Sequence, residues 1–125
     1  MGLDMYLHRR QKGDETLGEE IQYWRKVNWL RRWIVDHTDY ANDNDCVPFV
    51  LTKENVEALI ADCEKVIKNK SQAPTIMPTQ SGYFFGCTDY DEVYFDEIES
   101  VKEQFENVLN ETDFEAQEIV YYEWW

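Results

Sequence analysis

The sequence predicts an α+β fold in which three helices pack on a small, mostly antiparallel β-sheet. Segments whose apolar residues alternate in steps of two are interleaved with segments whose apolar residues recur at the helical period. Their order along the chain favours helices that pack against one sheet. This order is strand, helix, short strand, helix, strand, helix and strand. With 125 residues, 43% of them hydrophobic and 15% aromatic, one domain over residues 1–125 can bury a core of its own.

The first third of the chain predicts a strand followed by a long helix. Met5 and Leu7 alternate with polar neighbours, which predicts a strand over Met5–Arg9. Residues 11–18 have the composition of a turn. A helix is expected from about Glu19 to Asp36, with an apolar stripe on one side and a basic polar side opposite. The apolar stripe consists of Tyr23, Val27, Leu30 and Ile34, and it is widened by Ile21, Trp24 and Trp33. The polar side consists of Arg25, Lys26, Arg31 and Arg32.

The middle of the chain predicts a brief strand over Phe49–Leu51 and a second helix that starts just after it. Thr52 is a suitable N-cap, and Leu51 and Val56 have the spacing of a hydrophobic staple across the helix start. Residues 69–80, which contain two prolines, are expected to form a loop.

The last third predicts a strand, a third helix and a closing strand. Residues 81–86 form a short aromatic segment bounded by glycines, which suits a strand. A helix capped by Thr88 or Asp89 is expected over about Asp91–Asn110, and residues 114–124 are rich in β formers. The inner stripe of that helix is expected to be Tyr94, Ile98, Val101, Phe105 and Val108.

The charge of the chain is strongly acidic and unevenly placed. The formal net charge is −14. Residues 1–37 carry seven Lys/Arg against six Asp/Glu, net +1, whereas residues 38–125 carry five against twenty, net −15. Such a surface repels nucleic acid, and any partner that its field attracts is cationic: a basic protein surface or a metal ion.

Cysteine usage and the lack of long apolar runs predict a cytoplasmic protein without membrane segments. Cys46, Cys63 and Cys87 make an odd count with no CxxC pair, and the N-terminus lacks the pattern of a secretory signal. Free thiols in a reducing compartment are the simplest interpretation. No apolar run approaches the ~20 residues of a membrane helix.

Four short segments carry a family resemblance. They are GLDMYL at 2–7, YWRKVN at 23–28, PTQSGYFFG at 78–86 and YDEVYFDEIE at 90–99. Together they resemble a family of small bacteriophage and prophage proteins for which no activity is established. The resemblance implies a phage-encoded protein made in the cytoplasm of an infected or lysogenic bacterium, and it transfers no catalytic role.

The third predicted helix carries a row of carboxylates at helical spacing. Steps of 4, 3, 4 and 3 residues place all of them on one face and extend over ~21 Å; they are Glu92, Asp96, Glu99, Glu103 and Glu106. Like charges at these spacings cost a helix ~0.2–0.5 kcal/mol per pair. The row is either a phosphate-like surface that occupies a basic groove or a solvated face that keeps the protein soluble.

The C-terminus ends in two tryptophans, Trp124 and Trp125. Exposed Trp side chains are frequent binding hot spots, so both are candidates for the partner-binding surface. The alternative is that they close the core.

The segment at 79–86 is a second candidate site. Its glycines allow the backbone to approach a ligand, for example a nucleotide base stacked on a ring, although they equally suit turns at the ends of a core strand. The candidate ligand-binding residues in and near this segment are Trp24, Arg25, Asn28, Gln80, Ser81, Gly82 and Phe84. Asn28 can instead cap a neighbouring backbone group, and Arg25 can pair with acidic residues.

No metal, cofactor or catalytic triad is expected. The acidic loop that contains Asp43 and Asp45 has Pro48 where a calcium loop requires glycine. Only two histidines exist, His8 and His37, and neither has a partner at triad spacing. The sequence therefore favours a non-enzymatic protein that uses its acidic helix to block a basic host surface, such as that of a defence nuclease. A small-ligand or nucleotide-binding protein is the alternative, and self-assembly into a homo-oligomer is a third one.

Overall fold

The computed structural model describes residues 2–40, 47–81 and 86–125, and within them it has an α+β fold. Four α-helices accompany one four-stranded sheet, whereas the sequence predicted three helices. The strands are β1 (Asp4–Gln11), β2 (Glu19–Arg25), β3 (Phe49–Leu51) and β4 (Gln117–Trp124). The helices are α1 (Asn28–His37), α2 (Lys53–Lys68), α3 (Ala73–Ile76) and α4 (Glu92–Glu111), with a 3₁₀ turn at Lys70–Gln72.

The sheet is antiparallel throughout, with the order β2-β1-β4-β3. β1 is central: Tyr6 lies opposite Tyr23 of β2 on one side and opposite Tyr122 of β4 on the other. A bulge between Leu7 and His8 shifts the pairing with β2. The first and last strands of the chain are thus neighbours, so the sheet forms only when the two ends of the chain come together.

The helix predicted over Glu19–Asp36 is wrong in its first half. Residues Glu19–Arg25 form β2, and only Asn28–His37 is helical. Lys26 separates the two elements with a left-handed φ of 58°, which a continuing helix does not allow. Pairing with β1 buries Trp24 at its core-facing position, and this tertiary gain outweighs the helical periodicity of the segment.

The second helix begins as predicted. Thr52 Oγ1 accepts a hydrogen bond from Asn55 N at 3.1 Å, and Asn55 Oδ1 accepts one from Thr52 N at 3.0 Å, which completes a capping box. The predicted loop after α2 contains the 3₁₀ turn and α3, the fourth helix. Pro74 stands in the first turn of α3, where its missing N–H is tolerated.

The last helix, α4, has its predicted inner stripe and a different cap. Tyr94, Ile98, Val101, Phe105 and Val108 are all buried, as expected. The N-cap is Asp91, whose Oδ1 accepts a hydrogen bond from Tyr94 N at 3.1 Å, in place of Thr88 or Asp89.

The buried side chains of the helices join one core on a single face of the sheet. This core includes Met5, Leu7 and Tyr121 of the strands. On the same face, Trp24 of β2 stacks on Phe105 of α4 with ring centroids 5.6 Å apart. The alternate residues Tyr6, Tyr122 and Trp124 point to the other face, which we call the open face. Among the described residues, no helix has the length and apolar character needed to cross a bilayer.

Candidate functional site

The carboxylates of α4 lie on the side of the helix that faces away from the core. Glu92, Asp96, Glu99 and Glu103 are exposed, and Glu106 at the end of the series is half-buried. The buried stripe occupies the opposite side of the same helix. Because α4 is a continuous helix over Glu92–Glu111, the predicted spacing becomes a real row of charges.

One internal cation neutralises the end of the row. Lys102 Nζ lies 3.0 Å from Glu106 Oε1 and 3.7 Å from Glu64 Oε1 of α2. The hydrogen bond to Glu106 raises the pKa of Lys102, so this amine stays charged at neutral pH. Glu106 therefore differs from the other four, which we call the acidic row: Glu92, Asp96, Glu99 and Glu103.

No member of the acidic row forms an ion pair within 4 Å among residues 2–40, 47–81 and 86–125. Three arginines form ion pairs with carboxylates outside the row: Arg10 with Glu118, Arg31 with Glu123 and Arg32 with Asp36. The row is consequently ordered by its helix, exposed, and available to an external cation.

Glu97 sits beside the row, partly buried, and was not singled out in the sequence. Its Oε1 accepts a hydrogen bond from Trp29 Nε1 at 3.3 Å. Burial raises the pKa of Glu97, the Trp29 hydrogen bond opposes that rise, and Asp91 adds to it. The signal in the sequence was its position at the margin of the apolar stripe of α4, where a carboxylate is partly desolvated.

A shallow apolar groove runs along the same edge of α4. Its volume is about 280 Å³, and its lining includes Trp24, Val93, Glu97 and Val101. Val93 is 65% exposed, which makes it the most exposed large apolar side chain in the described chain. The acidic row is thus flanked by apolar surface against which the aliphatic stem of a lysine or arginine can pack.

The two terminal tryptophans are in different environments. Trp124 is 59% exposed and lies on the open face, opposite Asp4 of β1. Trp125 is partly buried, packs against the core, and has the guanidinium carbon of Arg31 4.5 Å from its ring centroid. Since α4 covers the other face of the sheet, Trp124 and the acidic row do not form one continuous surface.

The alternative ligand-binding residues are largely engaged in internal contacts. Asn28 is buried; its Nδ2 donates to Cys87 O at 2.8 Å and its Oδ1 accepts from Gln80 N at 3.1 Å. It thereby holds together the two chain segments on either side of 82–85. Gln80 Oε1 accepts from Arg31 Nη1 at 3.3 Å, and Trp24 Nε1 donates to Gln104 Oε1 at 2.7 Å.

These residues do not line one cavity. Gln80 and Ser81 line a cavity of about 530 Å³, and Asn28 lines another of about 260 Å³. Arg25 lines the latter and also the apolar groove that contains Trp24. Gly82 and Phe84 lie outside the described residues, as does the central part of the predicted strand at 81–86.

One group of metal-ligand types appears that the sequence did not suggest. Cys87, Asp89 and Asp91 are all exposed and bring one ligand atom each to within 4.8 Å of the others. The Asp91 carboxylate already accepts the N-cap hydrogen bond of α4. Of the acidic loop considered in the sequence, Asp43, Asp45 and Cys46 lie outside the described residues.

Comparison with protein-family models, with curated proteins and with solved structures gives no match to this chain.

Proposed function

We propose that this chain is a non-enzymatic binding protein whose acidic row occupies a basic surface on another protein and blocks it. In the setting that the sequence resemblance implies, the blocked protein belongs to the bacterial host of a phage, and a nucleic-acid-binding enzyme such as a defence nuclease fits best. The observation that carries the proposal is the set of four exposed carboxylates of α4, none of which forms an ion pair within the described residues.

The physical cost of the row supports this interpretation. Each pair of like charges three or four residues apart destabilises a helix by ~0.2–0.5 kcal/mol. Glu92, Asp96, Glu99 and Glu103 contain three such pairs in sequence, and solubility alone is served equally well by charges placed apart. A binding surface, in contrast, needs the charges together, because the attraction to a cationic partner sums over neighbouring sites.

The dimensions of the row indicate what kind of partner it fits. Eleven helical steps from Glu92 to Glu103 extend over ~16 Å, with one charge every ~5 Å. A groove that binds a nucleic-acid backbone presents Lys and Arg side chains at comparable intervals because it contacts successive phosphates. The row is held rigidly by a helix that packs along its whole inner stripe, so binding requires little ordering of its own backbone.

A matched pair of variants tests the proposal. The first replaces the row by amides: Glu92→Gln, Asp96→Asn, Glu99→Gln and Glu103→Gln. The control removes the same number of charges from exposed sites elsewhere: Glu15→Gln, Glu57→Gln, Glu111→Gln and Glu115→Gln. Each protein is immobilised, exposed to bacterial lysate treated with nuclease, and the retained proteins are quantified by mass spectrometry.

We expect basic nucleic-acid-binding proteins to be retained by the wild type and by the control, and to be lost from the row variant. Binding of a purified retained protein should weaken as salt rises from 50 to 500 mM, since exposed charges are screened beyond about one Debye length. The proposal is wrong if the row variant and the control retain the same proteins, or if the affinity is independent of salt.

A further inference from the structure

The open face of the sheet is a second candidate surface, separate from the acidic row, and it carries both aromatic and charged side chains. Three tyrosines form a line across three adjacent strands: Tyr23 of β2, Tyr6 of β1 and Tyr122 of β4. Their ring centroids are 5.2 Å apart between Tyr6 and Tyr23 and 6.0 Å apart between Tyr6 and Tyr122. Burial, together with Asp4 and Glu20, raises the pKa of Tyr6, so this ring is neutral at physiological pH.

Other apolar side chains extend this line of rings. Trp124 of β4 is 59% exposed, and Val50 of β3 is 37% exposed. Together with Tyr23 they are half of the six large hydrophobic side chains that are exposed in the described chain. Tyr6 and Tyr122 are half-buried, so Tyr23 and Trp124 supply most of the exposed aromatic area of this face. Exposed aromatic side chains gathered on one sheet face are typical of an interaction surface.

The charge on the open face is close to balanced. Strand register places Asp4, Glu20 and Glu118 there with Arg10 and Arg25, a net charge of −1 out of the −14 of the chain. Two of the carboxylates already have partners: Arg10 Nε lies 2.7 Å from Glu118 Oε2, and Tyr23 OH donates to Asp4 Oδ1 at 2.5 Å. Another acidic molecule that approaches this face therefore meets little repulsion from it.

We propose that the open face binds the open face of a second copy of this chain, in a two-fold symmetric dimer. The two sheets would pack ~10 Å apart with their aromatic lines in contact. A two-fold interface brings the same surface of both copies together, so a face whose net charge is close to zero suits it. Both acidic rows would then point outward on opposite sides of the dimer. This inference does not depend on the proposed function.

The area of the face sets the expected strength of the dimer. The strands contain 8, 7, 3 and 8 residues. At ~3.3 Å per residue and ~4.8 Å between strands, each copy offers ~400 Å² of flat sheet, to which the relief of the side chains adds. The total area that two copies would bury thus approaches the lower end of the ~1,200–2,000 Å² that specific complexes bury. We expect a weak dimer with a dissociation constant in the micromolar range.

Sedimentation equilibrium of the full chain from 1 μM to 1 mM tests the dimer. Trp124→Ser removes the most exposed ring of the face, and we expect it to raise the dissociation constant ~30-fold, as loss of a hot spot does. Val50→Asp adds a like charge to the same face of both copies and should act in the same direction. Val93→Ser is the control, because Val93 is 65% exposed, close to the 59% of Trp124, but lies on α4. Circular dichroism verifies that each variant is folded.

Salt dependence separates this inference from the proposed function. Two copies of net charge −14 repel each other, so the dimer should tighten between 50 and 500 mM salt, whereas binding of a basic partner should weaken. The variant in which the acidic row is replaced by amides should dimerise at least as tightly as the wild type. A protein that is monomeric up to 1 mM, or a Val93→Ser effect as large as that of Trp124→Ser, overturns the inference.

Discussion

Arg31 of α1 and Glu123 of β4 form an ion pair inside the core. Arg31 Nε lies 2.8 Å from Oε2 and 3.1 Å from Oε1 of Glu123, and the two side chains are 1% and 0% exposed. Tyr121 OH also donates to Glu123 Oε1, at 2.8 Å. Burial raises the pKa of Tyr121, and the neighbouring carboxylate raises it further, so the phenol remains a donor. The pair fixes α1 against the last strand of the sheet.

We expect Arg31→Met to destabilise the fold by ~3–5 kcal/mol. Removing one member of a buried ion pair leaves the other charge without compensation in a medium of low polarity. Urea unfolding followed by tryptophan fluorescence measures this change. The double variant Arg31→Met with Glu123→Met should recover most of the loss, since both charges are then absent. If the double variant is less stable than Arg31→Met alone, the ion pair is not the origin of the effect.

The capping box of α2 provides a smaller and more local prediction. Thr52→Ala removes the hydroxyl that accepts from Asn55 N, and we expect a loss of ~1 kcal/mol in the free energy of unfolding. Lys53→Ala, at the next exposed position, is the matched control and should change stability by less than ~0.5 kcal/mol. Equal effects of the two variants in urea unfolding would show that the cap contributes nothing specific.

Local patterns predicted the parts of the fold that depend on local geometry. The inner stripe of α4 and the N-cap of α2 follow from helical spacing and from hydrogen bonds within a few residues, and both are confirmed. The spacing of the acidic row was predictable for the same reason. The lack of ion pairs to the row among the described residues was not, because that depends on where Arg10, Arg31 and Arg32 find their partners in the fold.

Elements that depend on distant partners were predicted less well. Residues 19–25 have helical periodicity, yet they form β2 because β1 offers a strand edge across a short turn. Gly18 ends that turn with a φ of +83°, and a Cβ there would lie 2.5 Å from Arg9 O. Arg31 was expected on the polar side of a helix, but its partner lies 92 residues away on β4. Sequence spacing carries no information about such pairs.

The two described cysteines should differ strongly in reactivity. Cys63 is fully buried in α2, and burial is the main cause that raises its pKa to about 12, followed by the charge of Asp62. Cys87 is exposed. We expect iodoacetamide at pH 8 to modify Cys87 quickly and Cys63 at least ~1,000-fold more slowly, because reaction at Cys63 requires the chain to open. Peptide mass spectrometry reads the two sites separately. Similar rates would contradict the packing of α2 on α4.

Glu97 should make stability depend on pH in the acid range. Because the pKa of Glu97 is raised in the folded chain, the native state binds more protons than the unfolded state between the ordinary value of 4.5 and the raised one. Stability must therefore fall as pH rises through that interval. Glu97→Gln keeps an acceptor for Trp29 Nε1 and removes this loss.

We thus expect Glu97→Gln to be more stable than the wild type at pH 7 and to lose that advantage as pH falls through the raised pKa of Glu97 to the ordinary value of 4.5. Thermal unfolding between pH 4 and pH 7 measures the difference. Glu57→Gln removes an equal charge from an exposed site on α2 and serves as the control. A stability difference that does not change with pH would mean that Glu97 titrates normally.

Repulsion within the acidic row should lower the free energy of unfolding, while the same charges promote partner binding. Glu99 has like-charged neighbours at Asp96 and Glu103, so Glu99→Gln removes two repulsive pairs and should stabilise the fold by ~0.4–1 kcal/mol at low salt. At 1 M salt the gain should disappear, since the Debye length falls to ~3 Å. Glu115→Gln, an equal charge change outside any helix, should show little gain. Urea unfolding at both salt concentrations measures the effect. If Glu99→Gln raises stability and weakens partner binding, the Glu99 carboxylate serves binding at a cost to folding. If the variant instead lowers stability at low salt, the carboxylates of the row do not repel one another, and repulsion does not explain why they lie together.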